Sequence, residues 1–506
     1  MPQQLQNLSI AAPAFKGLNT QDSPLTSDPS FAAVADNCVI DQYGRIGARK
    51  GFDVITTDAT PLGSTEIVSM GYFEDNDGNE EVFSTANNKI FKGTTTLTDI
   101  TPASPYVISG NDWKMVNFNN KMYFFQGGHE PLVYDDANGL LPMTSHPDSV
   151  GTPINANEGL AAFGRLWTCG CGLNLQVVVW SDLLIGTAWS GGTSGSINIA
   201  KVWPDGYDEV VALAAHNGML VIFGKHSIIV YQGAESPANM VLMDTIAGVG
   251  CIERDSVQQT GNDLVFLSHT GLQSFGRLIQ EKSMPMRDMS KNVRNDFMTL
   301  VEDNTEGVKS VYSPENAFYL ITLPTVDVTF CFDMRGALED GSHRVTRWTA
   351  SPFNCFARKS DGTLLSGNIN GVGEYTGYLD DSSTYQLRYY SNPLTFGDSS
   401  RIKMLKKIIP TVIAGSATLV QVKWGYDFSQ SYSTDFVQVP TIVPAEYGIG
   451  EYGIAEYSAT NEEILKKSIN TTGNGTVVTV GVEVDVNGQP FSLQEFNIQA
   501  LLGRMI

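Results

Sequence analysis

Carboxylates are the reactive side chains that this chain holds in greatest number, with 54 Asp and Glu residues. Hydrolysis of a glycosidic bond needs two carboxyl groups about 5 to 9 Å apart across a sugar. No sequence motif singles out such a pair. The acidic run Glu74-Asp75-Asn76-Asp77-Gly78 has the composition of a calcium loop, but it lacks the ligand at twelve residues' spacing. We therefore expect a solvated hairpin turn there.

Histidine and cysteine form no recognisable site either. The histidines show no H-E-x-x-H or other paired spacing. Cys169-Gly170-Cys171 lacks the second ligand pair of a metal site, so we expect structural thiols in a chain that folds in a reducing cytoplasm. Phosphate-binding glycine loops and the G-x-S-x-G elbow are missing. The sequence predicts a protein that is not an enzyme, with no catalytic residue, no cofactor and no metal.

Ser360-Asp361-Gly362-Thr363 is similar to part of the Asp-box turn of sialidase-type propellers. The Trp that closes that box is missing, and the box does not recur along the chain. An Asp that caps the bend and a Gly at positive φ are also what an ordinary hairpin turn requires. We expect the ordinary turn.

Two acidic segments are candidates for contact surfaces rather than for catalysis. One is a glycine-rich loop with three Glu-Tyr pairs at a period of five, namely Glu446, Tyr447, Glu451, Tyr452, Glu456 and Tyr457. It fits a subunit interface or a channel rim, where Tyr is enriched and Glu repels phosphate; the alternative is a sandwich connection. The other segment supplies candidate lumen acids, namely Glu74, Asp75, Asp77, Glu80 and Glu81, for which solubility alone is the alternative.

A recurring hairpin pattern must position most of these residues. Each copy has a Gly, Asn, Asp or Glu start, an apolar strand of four to six residues, a small-residue turn and a second apolar strand. Hairpins at this period are typical of β-propeller blades, whose packing buries strands that are apolar on both faces. The pattern predicts an all-β fold with a six- or seven-bladed propeller; unrelated β-sandwiches are the alternative. The copies start at Gly78, Asn119, Gly164, Asn217, Gly261, Glu315 and Asp361.

The composition changes after Gly377, where Asn- and Gly-rich turns separate longer strand candidates. That spacing predicts one antiparallel β-sandwich of about 120 residues. We divide the chain into an N-terminal arm with a short helix that joins the propeller (1–55), the β-propeller (56–380) and the C-terminal sandwich domain (381–506).

Helices are predicted for three short segments only. Asp28 followed by Pro29 is typical of a helix start, and that helix would end near Asn37. The other two segments are Ser290–Val301 and Asn461–Lys467.

The charge balance restricts the partners. With 32 Lys and Arg against the 54 acids, the formal net charge is −22. Gripping nucleic acid by counterion release needs the opposite sign, so DNA clamping and adhesion to anionic membranes are disfavoured. No window approaches 18 consecutive apolar residues, and the N-terminus lacks the features of a standard signal peptide. We expect no stable membrane insertion.

The N-terminal region adds a family resemblance. It contains GLNTQDSPL (17–25), then DNCVID (36–41), GRI (44–46) and RKGF (49–52). This series resembles the opening of podovirus tail nozzle proteins, the tail tubular protein B and packaged-DNA stabilisation group of short-tailed phages. The later arrangement is also similar, with Trp348 before the final hairpin and Arg401–Lys407 leading into a sandwich. The chain departs from the family at the Glu-Tyr loop, where Trp-centred repeats would be expected.

The resemblance implies a structural virion protein that forms a homo-hexameric tube below the portal and adaptor rings. It would be assembled in the host cytoplasm, reside in the virion tail and contact tail fibre or tailspike proteins at the side. Six copies at −22 each carry about −130 formal charges. The tube would retain the packaged double-stranded DNA and then conduct it during ejection. An acidic lumen would let the DNA slide through without specific binding. The alternatives are a carbohydrate-binding or glycoside-hydrolysing propeller, or another tail or baseplate component that anchors fibres.

Overall fold

The computed structural model describes residues 4–170, 172, 174–261, 263–276, 288–350, 353–415, 417–429, 431–440 and 462–505. Strands dominate these residues, as the composition predicts. The N-terminal segment contributes the strands β1 (Gln4–Ala11), β2 (Gly17–Leu18), β3 (Phe31–Asp36), β4 (Cys38–Ile40), β5 (Ile46–Ala48) and β6 (Gly51–Val54).

The middle of the chain folds into successive antiparallel sheets, which we number as blades. They are blade 1, with β7 (Ser69–Glu74), β8 (Glu80–Ala86), β9 (Lys89–Lys92) and β10 (Thr98–Asp99); blade 2, with β11 (Lys114–Phe118), β12 (Lys121–Phe125), β13 (Leu132–Asp135) and β14 (Gly139–Pro142); blade 3, with β15 (Glu158–Ala162), β16 (Arg165–Cys169), β17 (Val177–Trp180) and β18 (Gly195–Asn198); and blade 4, with β19 (Val210–His216), β20 (Met219–Gly224), β21 (Ser227–Gln232) and β22 (Val241–Ala247).

The remaining blades follow the same order along the chain. They are blade 5, with β23 (Gln258–Gln259), β24 (Leu264–Ser268) and β25 (Gly271–Ser274); blade 6, with β26 (Lys309–Ser313), β27 (Phe318–Leu323), β28 (Val328–Asp333) and β29 (Val345–Thr349); and blade 7, with β30 (Cys355–Arg358), β31 (Leu364–Asn368) and β32 (Gly371–Thr376), to which β6 adds the fourth strand.

The innermost strands contact one another in ring order. β7 lies between β30 and β11, β15 lies between β11 and β19, and β26 lies between β23 and β30, while the turn at 254–256 contacts both β19 and β26. Within the described residues the ring therefore has six four-stranded blades and one three-stranded sheet. This confirms the predicted propeller of six or seven blades. The strand β6 closes the ring by pairing with β32, from Gly51↔Thr376 to Val54↔Gly373.

The predicted hairpins are the two central strands of each four-stranded blade, and in blade 5 they are β24 and β25. In β20, alternate side chains enter two different cores. Leu220 and Ile222 pack with blade 3, whereas Val221 and Phe223 pack with blade 5. Successive side chains of a strand point to opposite faces of its sheet. A strand that is apolar throughout is therefore buried on both faces only when its blade packs between two neighbouring blades.

The C-terminal strands form the two layers of a second unit. They are β33 (Tyr385–Ser391), β34 (Arg401–Gly415), β35 (Leu419–Tyr426), β36 (Ser433–Gln438), β37 (Glu462–Lys466), β38 (Ile469–Asn470), β39 (Val478–Val486) and β40 (Phe491–Met505). One layer has the order β37-β34-β40-β5-β4, with β1 also paired to β40, and the other contains β3-β33-β39-β35-β36. The layers share a core, in which the rings of Tyr389 and Phe496 stack at 6.3 Å.

The propeller and the second unit are joined by continuous hydrogen bonding. The outer strand β29 of blade 6 pairs in parallel with β2, and β3 continues that sheet into β33, so that ten strands form one sheet. The N-terminal segment thus serves both units: β6 completes a blade, whereas β1, β4 and β5 belong to the C-terminal layers.

One of the three predicted helices is confirmed. The segment Ser290–Val301 contains a 3₁₀ turn at Lys291–Val293 and the helix α1 (Arg294–Asp303). The other 3₁₀ turns are Thr60–Leu62, Met143–Ser145, Pro237–Asn239, Arg254–Ser256 and Pro324–Val326. No helix in the described ranges is long and apolar enough to cross a membrane.

The helices predicted at 28–37 and 461–467 are wrong. Asp28 does not cap a helix: its carboxylate accepts a hydrogen bond from the Ser30 amide at 2.9 Å and pairs with Lys16 at 2.7 Å. The chain then enters β3, between β2 and β33. The second segment contains β37, which pairs with β34. In both places, strand partners that are distant in sequence override the local helix signal.

Candidate functional site

The candidate lumen acids lie on the hairpin between β7 and β8, as predicted for a solvated turn. Asp75 holds the turn, because its carboxylate accepts hydrogen bonds from Asn79, and these lower its pKa. Glu81 is paired with Lys92 at 2.9 Å. Asp77 and Glu80 are exposed, and Glu74 is partly buried. The structure thus brings the five acids onto one hairpin, and their place in a lumen stays a prediction.

The Glu-Tyr loop lies outside the described residues. This applies to all six of its predicted contact residues: Glu446, Tyr447, Glu451, Tyr452, Glu456 and Tyr457. The turn at Ser360–Thr363 is described, and it is the ordinary hairpin turn that we expected. Asp361 accepts a hydrogen bond from the Thr363 amide at 2.8 Å, and Gly362 has φ +89°.

The most concentrated group of charges lies where the inner strands begin. Lys114, Glu158 and Lys309 are the first residues of β11, β15 and β26. Arg254 and Asp255 belong to the 3₁₀ turn that precedes β23. Because inner strands of a propeller run along the central axis, their first residues meet at one end of that axis. With Asp112, these side chains form what we call the axial cluster.

The axial cluster is held by ion pairs that cross the ring. Lys309 contacts Asp112 and lies 2.7 Å from Asp255. Arg254 lies 2.8 Å from both Asp112 and Asp255. Lys114 lies 3.3 Å from Asp255. Blades 2 and 6 and the turn before blade 5 are therefore joined through charged side chains.

Glu158 is the member of the axial cluster whose pKa lies close to neutral pH. Its side chain is 3% exposed, and burial raises its pKa from 4.5 to about 7, against the opposing effect of Lys114 and Arg254. The nearest cationic atoms are 3.7 and 3.8 Å away, on Lys114 and Arg254. Its Oε2 has no hydrogen-bond partner among the described residues. Burial would also raise the pKa of Asp255, but Arg254, Lys309 and Lys114 hold it well below its usual range.

The axial cluster joins blades across one end of the axis. A cavity of about 270 Å³ lies beside it, lined by Asp112, Glu253, Arg254 and Lys309 among others. In the part of the chain that the structure describes, no group of three or more His, Cys, Asp or Glu residues is placed to hold a metal ion. The cluster was not found from the sequence. Its signal was a charged residue at the start of an apolar strand, seen at Lys114, Glu158 and Lys309.

The residues that carry the family resemblance lie at the junction of the two units. The Arg49 side chain is fully buried and donates to Asp380 at 2.8 Å through Nη1. Its guanidinium lies 4.1 Å from the ring centre of Tyr385, and its Nε donates to Asn37 at 3.3 Å.

Two glycines of the same motif allow close backbone approaches. A Cβ on Gly51 would lie 1.8 Å from the carbonyl oxygen of Leu379, so no other residue fits where β6 enters the ring. Gly17 has φ +78°, and a Cβ there would lie 2.4 Å from the oxygen of Val345. Both positions therefore require glycine.

Comparisons with known proteins give similarity to solved structures at low identity only. No family model and no curated protein matches it. The Neurospora crassa Pan2 WD40 domain has 7% identity and a TM-score of 0.38, covering 66% of this chain and 97% of that domain. Exo-β-1,3-galactanase from Phanerochaete chrysosporium has 10% identity and a TM-score of 0.26, covering 92% and 99%.

A third similar structure is PorZ of Porphyromonas gingivalis, with 10% identity and a TM-score of 0.34. The match covers 74% of this chain but only 46% of PorZ, less than half of that protein's length.

Proposed function

We propose that this β-propeller protein is a structural subunit of the tail nozzle of a short-tailed phage, acting in a homo-hexameric ring. The observation that carries the proposal is the position of the motif residues. Gly17, Asn37, Arg49 and Gly51 all lie where the propeller meets the C-terminal unit. The motif that resembles the nozzle family therefore lies at the junction between the propeller and the C-terminal unit.

The axial cluster supports a conduit that lies between subunits. Its side chains meet across the ring centre of a single propeller, so DNA would pass along an axis shared by several copies. The formal charge of −22 per chain favours a wall that repels phosphates and lets DNA slide. Asp77 and Glu80 are exposed on their hairpin and are available for such a wall.

An exposed outer strand supports assembly. In β22, Val241, Leu242 and Met243 are 60%, 43% and 54% exposed. This strand pairs with β21 on one side, and among the described residues no strand pairs with its other side. Natural proteins cover or charge such edges, and three adjacent exposed apolar residues are typical of a contact surface.

The proposal includes the setting of the ring. Portal and adaptor proteins would lie above it, and tail fibre or tailspike proteins would attach at its side. The virion tail is the final location, after assembly in the host cytoplasm.

Light scattering on the purified chain tests the assembly. A hexamer of this 55.0 kDa chain is expected as a discrete species, either alone or after mixing with portal and adaptor proteins. Only monomers under both conditions, at concentrations up to about 100 µM, would overturn the proposal, because a glycosidase-type propeller acts without a ring.

A further inference from the structure

A groove lies on the ten-stranded sheet, on the face opposite the shared core. We call it the sheet groove. It encloses about 710 Å³, and its floor is formed by β29, β3, β33, β39 and β35. One wall is the segment around Asn19–Pro24, and the other is formed by Phe428 and Tyr432. The axial cluster and the candidate lumen acids contribute nothing to its lining.

The floor of the sheet groove carries charges of alternating sign in register. Arg347, Asp36, Arg388 and Glu483 occupy paired positions on four neighbouring strands. Asp36 is buried and binds both guanidinium groups, at 2.9 Å from Arg347 and 2.7 Å from Arg388. The Arg347 and Arg388 side chains remain 33% and 41% exposed. The two arginines are therefore held in place while part of each faces the groove.

Glu483 is fixed by a second set of partners. It accepts hydrogen bonds from Lys423 and from the Tyr390 hydroxyl. Burial would raise the pKa of Glu483, but these two partners lower it, so the carboxylate is ionised at neutral pH. The lining contains three cations, Arg347, Arg388 and Lys423, and three carboxylates, those of Asp36, Glu483 and Asp22. A balanced lining of this kind gives no net attraction to a charged ligand.

Aromatic rings line the side of the sheet groove formed by Phe428 and Tyr432. Tyr390 and Tyr432 lie 5.1 Å apart at a tilt of 48°. Tyr390 rests on Gly481, where a Cβ would lie 2.4 Å from the ring. Tyr432 is 37% exposed and Phe428 is 60% exposed. Exposed rings beside ordered polar groups favour a ligand that is apolar on one face and rich in hydrogen-bonding groups at its edges.

We propose that the sheet groove binds a neutral oligosaccharide. Sugar rings present CH groups to the faces of Tyr432 and Phe428, while their hydroxyls bond to Arg347, Arg388 and Glu483. The volume lies within the range of roughly 300 to 1,000 Å³ for ligand sites, which is enough for a few sugar units. This inference does not depend on the proposed tail function.

Calorimetry with the full chain tests the proposal. The probes are a panel of neutral oligosaccharides of two to four units, neutral polysaccharides, and sulfated or uronic-acid oligosaccharides. We expect at least one neutral probe to bind at millimolar or lower concentration. Tyr432→Ala and Phe428→Ala should each weaken that binding about tenfold or more. Binding of the short probes would identify free oligosaccharide as a sufficient ligand, and binding of the polymer alone would identify polysaccharide chains.

Phe436→Ala is the matched control, because Phe436 is 47% exposed on the neighbouring strand β36 and does not line the groove. It should bind as the original chain does. Thermal unfolding of all three variants should match that of the original chain. Three results would overturn the proposal: no binding of any neutral probe, an affinity of Tyr432→Ala and Phe428→Ala equal to that of the original chain, or binding of charged probes alone.

Discussion

Arg49 is a charge that folding removes from water, and its partners explain how the fold tolerates it. Asp380 supplies the opposite charge, Tyr385 supplies a ring face, and Asn37 accepts a further hydrogen bond. An unpaired buried charge is strongly destabilising. The sequence showed that Arg49 belongs to a motif, but Asp380 lies 331 positions away and could not be paired with it by spacing.

Glu158 gives the clearest prediction at the residue scale. Its pKa is about 7 in the folded chain, against an ordinary 4.5, so the folded state holds the proton more tightly than the unfolded state. The free energy of unfolding therefore falls as pH rises from about 4.5 through about 7. Because a pKa difference of one between the folded and unfolded states corresponds to about 1.36 kcal/mol, this loss is roughly 3 kcal/mol. Glu158→Gln should lack this loss when denaturant unfolding is measured across that range.

Glu80→Gln is the control for Glu158→Gln, because it removes a carboxylate from an exposed hairpin position. It should follow the pH dependence of the original chain. Equal pH dependence in the original chain and in Glu158→Gln would show that burial does not raise the pKa of Glu158.

At the scale of elements, strands with both faces buried were predictable and strands with distant partners were not. Leu220–Phe223 is apolar throughout, and its neighbouring turns mark its ends, so its sequence alone indicates a central strand. By contrast, β3 and β37 take their partners from β33 and β34. Local signals at Asp28 and Asn461 favoured helices there. The axial cluster was missed for the same reason, since its members come together only when the ring closes.

At the scale of elements, we predict that the exposed strand β22 is a contact between subunits. Leu242→Lys places a charge on the apolar edge, so it should shift the assembled chain towards monomer in light scattering. Folding should be unaffected within about 0.5 kcal/mol, because the residue is substantially exposed.

Val107→Lys serves as the comparison for Leu242→Lys, since Val107 is 72% exposed but does not lie in a strand. It should assemble as the original chain does. If Leu242→Lys also assembles normally, β22 is not a subunit contact.

At the scale of the whole molecule, charge and architecture lead to the same proposal. The axial cluster crosses the ring centre of a single propeller, and a formal charge of −22 disfavours binding of DNA by counterion release. Several such chains around a common axis would form a wall along which DNA slides. In this account, each subunit forms part of the wall of the conduit, and the DNA passes through the centre of the ring of subunits.

Electron cryo-microscopy of the assembled protein tests this claim most directly. The account predicts a closed ring of six subunits around an opening whose wall carries more Asp and Glu than Lys and Arg. A preparation that forms no ring with its portal and adaptor partners, or a ring whose inner wall is basic, would contradict it.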